Sequence, residues 1–559
     1  MQRLVEGQIS REALVKSTRR RSLKTFFHNS LSTRSSVYQP LSTKRALGWI
    51  PEDIILEIVD LLSPLDVQNL SVTSSHLRTL LLPTIYETVV LKSSRKCKMA
   101  LNTLELRPEI CRCIKKLAVR PNYYLSWPKA DEYLDEAWLA RKISGISQNL
   151  SSLHTFDWDG LELPQDYLWG TLQTHCPKLK NIFTNVGTQP FHSNSQLFAF
   201  KDLTSFSLVV RHGLNGNDFF FQEMEDLPDE FWTMIIKHCP DLEELAICSF
   251  SSAARLFNFK HITEGHWPKL HTLTIGSFGY QSDFSLGPPQ IDIGLGRFLN
   301  EHQSLDYIRF LWNFKRWMSP ELIPMHLPPS SLPVLTTFIG VYQQLIDLPH
   351  PESVTTLDLT CEPVYELRIP MLCAMLKTLV NLTSLDLWTH VLNPRRNHSA
   401  LFYDILTSCP KLTDFHFMCT TAFTLTPMKN LIKQLHLLPE LRNFSLTKGH
   451  DYIDEEMMDS ALRILKYNPR LQQINIRWAR ERCPNHLKQE GTYDVLSTDE
   501  EGNAKVLMVT EKGIPLVGPA FERKLEYDLA PKNIFAKMSR MHDSLERRHR
   551  KLILRALRV

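Results

Sequence analysis

One spacing of apolar residues recurs along most of this 559-residue chain and limits what it can fold into. An apolar residue is followed, after two variable positions, by a second, and after one more position by a third. Complete copies begin at Ile114, Leu153, Leu203, Leu242, Leu270, Leu305, Val354, Leu382, Leu412, Leu441 and Leu471, and poorer copies begin at Leu179 and Leu335. The alternating pair predicts a short strand with one buried face. A single copy cannot bury that face, so the copies must stack.

The spacing between copies identifies the kind of array. The last five copies begin 28 to 30 residues apart, whereas earlier intervals range from 19 to 39 and indicate insertions. A period near 29 with this apolar core is the signature of leucine-rich repeats. We therefore predict an α/β fold, an irregular leucine-rich-repeat solenoid (horseshoe), over residues 92–480.

A proline ends the return segment before several strands. The dipeptides are Cys176-Pro177, Cys239-Pro240, Trp267-Pro268, Cys409-Pro410, Leu438-Pro439 and Asn468-Pro469. Each pair begins three residues before the first apolar anchor, and proline pushes its predecessor towards extended geometry. The cysteine at this turn is interpreted as a small apolar plug. The sequences His175-Cys176 and His238-Cys239 could suggest metal ligands, but their position in the repeat favours a packed core.

Residues 47–91 precede the array and predict three short helices. The first carries two apolar stripes with helical spacing: Ile54, Ile58, Leu61 and Ile55, Val59, Leu62. Pro51 suits the first helical position. Ser63 and Pro64 restart the chain, with Asp66 completing a loose capping box. Inward positions are expected at Leu65, Leu70 and Val72 in the second helix and at Leu77, Leu80 and Leu81 in the third, with Pro83 ending the third.

This stretch resembles an F-box of the type common in fungal F-box proteins. The resemblance rests on Pro51-Glu52, the Ile/Leu run to Leu62, Ser63-Pro64-x-Asp66, Leu70, and Pro83 followed by Tyr86. It implies that residues 47–91 bind a Skp-family adaptor, and through it a cullin-RING ligase. The residues that would be buried against the adaptor are Pro51, Ile54, Ile55, Ile58, Leu62, Pro64, Leu65 and Leu70. The alternative is a three-helix cap that only shields the end of the repeats.

A target would bind on the strand positions that flank the buried pair. These positions carry a mixed polar and aromatic set, which suits a protein or peptide partner. The predicted target-binding residues are Tyr307, Arg309, Asp386, Trp388, Asp414, His416 and Arg477, with Asp358 and Asn475 in the same kind of position. Each could equally be a solvated strand residue. The insertions at 213–229, 276–295 and 312–333 could also carry recognition.

Composition narrows the function further. The net charge is +4 from 64 basic and 60 acidic side chains, which disfavours nucleic-acid binding by the body of the protein. The 11 cysteines are odd in number and lack a CxxC pair, as expected of reduced thiols in the cytoplasm or nucleus. No apolar run approaches the roughly 20 residues of a membrane helix. We find no Walker A, GxGxxG, HExxH or GxSxG motif, so neither catalysis nor a cofactor or metal is expected.

The two ends of the chain have separate compositions. Residues 1–46 are basic and rich in Ser and Thr, which predicts a solvated arm; a nuclear localisation patch around 19–21 and a mitochondrial transit peptide are the alternatives. Residues 481–559 predict a C-terminal cap made of a hairpin around 493–509 and a basic amphipathic helix. That helix is expected to be docked or solvated, although such helices can also meet membranes or calmodulin-like partners.

Two functional hypotheses follow. In the first, the chain is the non-catalytic substrate receptor of an SCF-type ubiquitin ligase, binding an adaptor through residues 47–91 and a protein target through the array. In the second, it is a scaffold whose N-terminal helices only cap the repeats. The sequence does not name the target.

Overall fold

A computed structural model describes residues 50–92, 94–122, 133–187, 192–210, 227–249, 260–276, 294–311, 327–391, 398–423, 425–449, 456–480, 483–513 and 521–529. The chain divides into two compact units, Ser10–Gly279 and Tyr280–Val559. The basic arm at 1–46, most of the three insertions and the basic C-terminal helix lie outside the described residues. Both units mix helices with strands.

The first unit begins with three helices and continues as a parallel sheet. Its helices are α1 Glu52–Leu61, α2 Pro64–Ser71, α3 Ser75–Tyr86, α4 Ser94–Leu106, α5 Pro108–Cys111, α6 Glu136–Ile146, α7 Asp166–His175 and α8 Asp229–Thr233. Its strands are β1 Thr88–Lys92, β2 Lys116–Arg120, β3 Thr155–Trp158, β4 Asn181–Val186, β5 Ser205–Val210, β6 Glu244–Ser249 and β7 Thr272–Gly276. Each of these strands pairs in parallel with the next one along the chain.

The second unit repeats this plan and ends differently. Its helices are α9 Gly294–Glu301, α10 Ile369–Leu376, α11 Ser399–Ser408, α12 Leu425–Gln434 and α13 Met457–Tyr467. Its parallel strands are β8 Tyr307–Leu311, β9 Thr337–Ile339, β10 Thr356–Tyr365, β11 Ser384–His390, β12 Asp414–Ala422, β13 Asn443–Gly449 and β14 Gln473–Arg480. Three antiparallel strands follow: β15 Cys483–Thr498, β16 Ala504–Gly513 and β17 Phe521–Asp528.

Helical turns of other types complete the connections. The 3₁₀ turns are Ser147–Asn149, Gln196–Ala199, Lys260–Glu264, Tyr342–Asp347, Pro351–Ser353, Glu366–Arg368 and Leu435–Leu437, and Met234–His238 is a π-helical turn. Several of these turns directly follow an α-helix, and others lie between two strands.

The apolar anchors form the core of both units. In every complete copy of the pattern, from Ile114 to Ile476, all three anchors are buried. Aromatic anchors contact each other across strands, as Phe415 and Phe444 do with ring centroids 5.9 Å apart. The predicted strands and their buried face are therefore confirmed.

A row of threonines links successive strands of the second unit. The Thr355 hydroxyl donates to the Thr336 carbonyl, that of Thr383 to Thr355 and that of Thr413 to Thr383, at 3.3, 3.1 and 3.1 Å. The backbone N–H of each donor residue points to the same carbonyl at 2.8 to 2.9 Å. Each carbonyl therefore receives two hydrogen bonds from one residue of the next strand, which fixes the register between neighbouring repeats.

The hairpin predicted around 493–509 is present and pairs with the last parallel strand. Tyr493 lies opposite Val509 in β16 and opposite Ile474 in β14. Gly502, at φ 83°, occupies the left-handed position that the turn requires. Inside this sheet the Tyr493 hydroxyl donates to Glu511 at 3.0 Å. The hairpin thus covers the edge of β14, which would otherwise expose unpaired backbone groups.

Two details of the N-terminal helices differ from the prediction. Pro83 does not end α3, which continues to Tyr86. The helix continues past the proline because Leu81 and Ile85, on either side of it, are packed in the core. Pro51 is the residue before α1, and its carbonyl accepts a bond from the Ile55 N–H at 3.2 Å. The predicted Ser63 cap of α2, with Pro64 as the first helical residue, is confirmed.

The cysteines before the turn prolines behave as apolar plugs. Burial raises the pKa of Cys176 and Cys409 to about 12 and that of Cys239 to about 11. At the equivalent position Asn468 is also buried, and its amide donates to the Ile432 carbonyl at 3.0 Å. The turn therefore excludes water whichever of these side chains it contains.

We expect the thiols of Cys176, Cys239 and Cys409 to resist alkylation in the folded protein, because only the exposed thiolate reacts. Treatment with iodoacetamide at neutral pH, followed by peptide mass spectrometry, should modify the half-buried Cys113 first. All four cysteines should react equally in denaturant. Labelling of the three turn cysteines at the rate of Cys113 in the native protein would contradict their assignment as buried plugs.

Candidate functional site

The N-terminal helices join the first sheet without a linker. α3 ends at Tyr86, Glu87 follows in helical geometry, and β1 begins at Thr88. The Glu87 carbonyl accepts bonds from the N–H groups of Lys115 and Lys116, both at 2.9 Å. The Glu87 carboxylate also meets the Lys115 ammonium at 3.1 Å. One residue therefore ties the third helix to the start of β2.

The three N-terminal helices have their own core. Its buried members are Ile55, Val59, Val67, Leu77, Leu81 and Ile85. The predicted inner residues Leu77 and Leu81 are among them, while Leu80 is only partly buried. The inner stripe of α1 is thus satisfied by α2 and α3.

A second apolar stripe of α1 remains on the surface. Ile54, Ile58 and Leu61 are 44%, 43% and 84% exposed, and their spacing places them on one side of the helix. Leu65 and Val72 of the second helical segment are 65% and 77% exposed. Large apolar side chains that gather on a surface indicate an interaction site.

The residues predicted to contact an adaptor differ in their exposure. Pro51, Ile54, Ile58, Pro64 and Leu65 are exposed and can be reached by a partner. Leu62 and Leu70 are half-buried and pack against the helical core.

Three of the expected positions were wrong. Ile55 is 3% exposed, because it is part of the core of the three helices, so it cannot lie in an adaptor contact. Leu65 and Val72 do not face inward as predicted; Val67 and Ser71 occupy the inner side of α2 instead.

On the second unit, the predicted target-binding residues share one face of the sheet. They lie in register across neighbouring strands: Asp358 beside Asp386, Asp386 beside His416, and Ser384 beside Asp414. We refer to the outward residues of β10–β12 as the aspartate strip, defined by Asp358, Asp386 and Asp414.

In the part of this face nearest the hairpin, the charged side chains pair with one another. The Arg477 guanidinium donates to Glu490 at 2.9 Å, and Lys512 approaches the other Glu490 oxygen at 2.8 Å. Burial opposes ionisation of Glu490, but the two cations together lower its pKa. Asn475 is likewise engaged, accepting from Thr492 at 2.8 Å. The predicted target residue Arg477 therefore has an intramolecular partner that the sequence pattern did not reveal.

The aspartate strip has basic neighbours: the Arg309 cation acts on Asp358, and His416 approaches Asp386. His416 Nδ1 lies 3.5 Å from Asp386 Oδ1, and His416 Nε2 lies 2.9 Å from the Thr447 hydroxyl. Asp358 accepts bonds from the N–H and hydroxyl of Thr360 at 2.8 and 2.6 Å. Burial and the like charge of Asp386 raise the pKa of Asp358.

Asp414 and the aromatic residues complete the strip. Asp414 accepts bonds from Asn443 at 2.6 Å and from Thr413 at 2.7 Å, and both donors are neutral. Trp388 and Tyr307 are half-buried, and the indole N–H of Trp388 is shielded from solvent with no hydrogen-bond acceptor among the described residues. Arg309 is only 4% exposed, so its guanidinium is not a surface group as predicted.

The equivalent face of the first unit carries a buried ionic network. Arg120 lies 3.5 Å from Asp157 and 3.4 Å from Asp159, and Asn185 donates to Asp159 at 2.7 Å. All of these side chains are largely buried, so the network acts within the fold. The repeat pattern did not predict this network, because its members fall on positions that the pattern leaves variable.

The described ranges contain neither a candidate metal cluster nor a candidate membrane span. No group of three or more His, Cys, Asp or Glu residues there is arranged to hold a metal ion. No described helix is long and apolar enough to cross a bilayer.

Comparison with known proteins identifies the N-terminal helices. Residues 47–82 match the family of the F-box domain. No curated protein matches the chain. The crystal structure of the Rad7 and Elc1 complex in yeast matches with 12% identity and a TM-score of 0.37, covering 74% of this chain and 95% of that chain. The crystal structure of a TLR13–ssRNA13 complex matches with 14% identity and a TM-score of 0.19, covering 64% and 53%. At these scores neither structure informs the function.

We predict that Asp358→Asn stabilises the protein at neutral pH by up to about 1 kcal/mol, because two like charges face each other across β10 and β11. The asparagine oxygen can still accept both Thr360 bonds. A raised pKa means that ionisation of Asp358 opposes folding as the pH rises above about 3.9, so the gain should shrink towards pH 4. Thermal unfolding of the variant and the wild type at neutral pH and at pH 4 measures this gain in stability.

The exposed Asp404, on the helical side of the same unit, provides the control. Asp404→Asn should leave the melting temperature unchanged at both pH values. A lower melting temperature of Asp358→Asn at neutral pH would show that its charge supports the fold.

Proposed function

We propose that this protein is the substrate-recognition subunit of an SCF-type ubiquitin ligase. Its F-box domain at residues 47–82 would bind a Skp-family adaptor, and a leucine-rich-repeat array would hold a protein target. The observation that carries the proposal is the exposed apolar stripe of α1, formed by Ile54, Ile58 and Leu61, beside a helical core that other residues already fill.

The stripe has a clear energetic meaning. Exposed apolar area costs about 25 cal/mol per Å², and a fully buried Leu or Ile contributes about 1.5 to 3 kcal/mol. The inner stripe of α1 packs in the core of the three helices, whereas the outer stripe lies outside that core. A partner that covered Ile54, Ile58 and Leu65 would gain several kcal/mol from these residues. This supports a stable rather than a transient adaptor contact.

The repeat array supports the second half of the proposal. Its parallel strands follow one another in chain order and carry polar and aromatic side chains outward, which suits a protein target. In this role the protein performs no chemistry of its own. It would raise the local concentration of target lysines near the conjugating enzyme.

The linker-free junction at Glu87 fits such a positioning role. A receptor with a flexible linker between its two binding sites would hold its target in many different positions. A helix that leads directly into a strand reduces the number of these positions. We propose that the complex acts in the cytoplasm or nucleus, in keeping with the odd number of cysteines and the lack of a CxxC pair.

The double variant Ile58→Glu/Leu65→Glu should weaken adaptor binding at least about a hundredfold, because it removes two buried apolar contacts and introduces two charges. Purified Skp-family adaptor and the full-length chain can be compared by calorimetric titration. Both residues are exposed in the free protein, so the melting temperature should stay unchanged.

Leu367→Glu is the matched control, because Leu367 is 81% exposed and lies in the second unit. It should bind the adaptor like the wild type. If wild-type protein shows no adaptor binding, or if the double variant binds normally, the ligase assignment is wrong.

Deletion of residues 47–82 separates the ligase proposal from the scaffold alternative. The ligase proposal expects the array to stay folded, with an intact circular-dichroism signal and thermal transition, while adaptor binding is lost. A scaffold whose helices only cap the repeats would lose the array itself, because the end of a stacked core would be exposed.

A further inference from the structure

The row of buried anchors continues beyond the last repeat into the antiparallel strands. Ile474 of β14 lies opposite Tyr493 of β15, and Tyr493 lies opposite Val509 of β16. In the last strand, β17, Leu525 lies opposite Val509. Ile474, Tyr493 and Val509 are buried, whereas Leu525 is 46% exposed. The apolar core of the array therefore extends over three further strands and reaches the surface at β17.

A second apolar row lies beside the first. Leu507 of β16 lies opposite Val495 of β15 and opposite Tyr527 of β17. Leu507 is buried, and the other two side chains are half-buried. We refer to this side of β15–β17 as the terminal sheet face, defined by Tyr493, Val495, Leu507, Val509, Leu525 and Tyr527. Because strand residues alternate between the two sides of a sheet, Asn475 and Arg477 lie on the opposite side.

The terminal sheet face needs a layer of its own. A helix is about 10 Å wide and neighbouring strands are about 4.8 Å apart, so one helix covers about two strands. In the part of the chain that the structure describes, α13 is the last helix, and it precedes β14. It has the width to cover β14 and one neighbouring strand. An apolar sheet face must be buried against another element, so β16 and β17 require a further one.

The chain that follows β17 begins beside this face. The Leu529 N–H donates to the Lys505 carbonyl at 2.8 Å, so the chain leaves the sheet next to the first residues of β16. Residues 530–559 follow. Five of their apolar residues keep the spacing of one helix side: Ile534, Met538, Met541, Leu545 and Leu552.

The predicted helix also has the length of the face. Asn533 suits the N-cap position, which predicts a helix that starts at Ile534. A helix over 534–552 would be about 28 Å long, at 1.5 Å per residue. The ten residues of β16 span about 34 Å. A helix that ran back along the strands would therefore cover most of the face.

We propose that the C-terminal amphipathic helix docks on the terminal sheet face of its own chain. Its apolar side contacts Val509 and Leu525, and its basic side faces solvent. The helix then closes the end of the apolar core, as the return helices do along the array. It leaves the outward strand positions accessible, because they lie on the other side of the sheet. This inference does not depend on the ligase assignment.

Hydrogen–deuterium exchange of the full-length chain, followed by mass spectrometry, tests the contact from the side of the sheet. We expect the amides of 534–552 to exchange at least about tenfold more slowly than those of a free peptide of the same sequence. Leu525→Glu should remove this protection. Lys524→Gln is the matched control, because it changes the charge by the same amount on the opposite side of β17, and it should keep the protection.

Variants of the tail test the same contact from the side of the helix. Met541→Glu/Leu545→Glu should accelerate exchange in β16 and β17 and lower the melting temperature by at least about 3 °C. The matched control, Ala536→Glu/Ser539→Glu, adds the same charge on the opposite side of the predicted helix and should change neither quantity. These variants remain informative if Leu525→Glu does not fold, because they leave the sheet itself unaltered.

Three results would overturn the proposal. Exchange of 534–552 at the rate of the free peptide would leave the terminal sheet face to an external partner. Protection that is lost on dilution, together with a dimer mass by light scattering, would assign the face to the tail of a second copy. Equal effects of a variant and its matched control would show that added charge, and not the contact, caused the change.

Discussion

Each strand of this protein depends on the next repeat for its backbone hydrogen bonds. A parallel strand cannot close on itself, so the N–H and C=O groups of one repeat are satisfied only when another repeat stacks in register. In the second unit the threonine row adds a side-chain bond to the same carbonyls, from Thr355 to Thr413. The apolar anchors supply the energy of stacking, and these polar contacts select one register among those that burial alone would permit.

The same constraint explains what the sequence could predict. The spacing of the apolar anchors predicts which side chains are buried, and so it predicted the parallel strands. The hairpin was predicted from two strand patterns on either side of a turn. Partners that are distant in the chain could not be predicted in this way. Arg477 reads as a surface cation, and only the antiparallel register of β14 and β15 brings Glu490 opposite it.

The N-terminal helices show a second limit. α1 carries two apolar stripes of similar composition, and helical spacing alone does not decide which one faces the core. The packing of α3 decides it: Ile55 and Val59 are buried, while Ile54 and Ile58 remain outside. Pro83 is a comparable case, because a proline that would end an isolated helix is tolerated where the flanking Leu81 and Ile85 are held by tertiary contacts.

The junction at Glu87 has a consequence for how such a protein can diversify. Two modules connected by a flexible tether can be exchanged by recombination anywhere along the tether. Here the last turn of α3 and the first residue of β1 are separated by one residue, whose carbonyl accepts bonds from the amides of Lys115 and Lys116 and whose carboxylate pairs with the Lys115 ammonium. A different set of N-terminal helices would have to reproduce that geometry within a single residue. Substitutions are therefore expected to accumulate in the array, at the outward strand positions, while the residues of the junction stay the same.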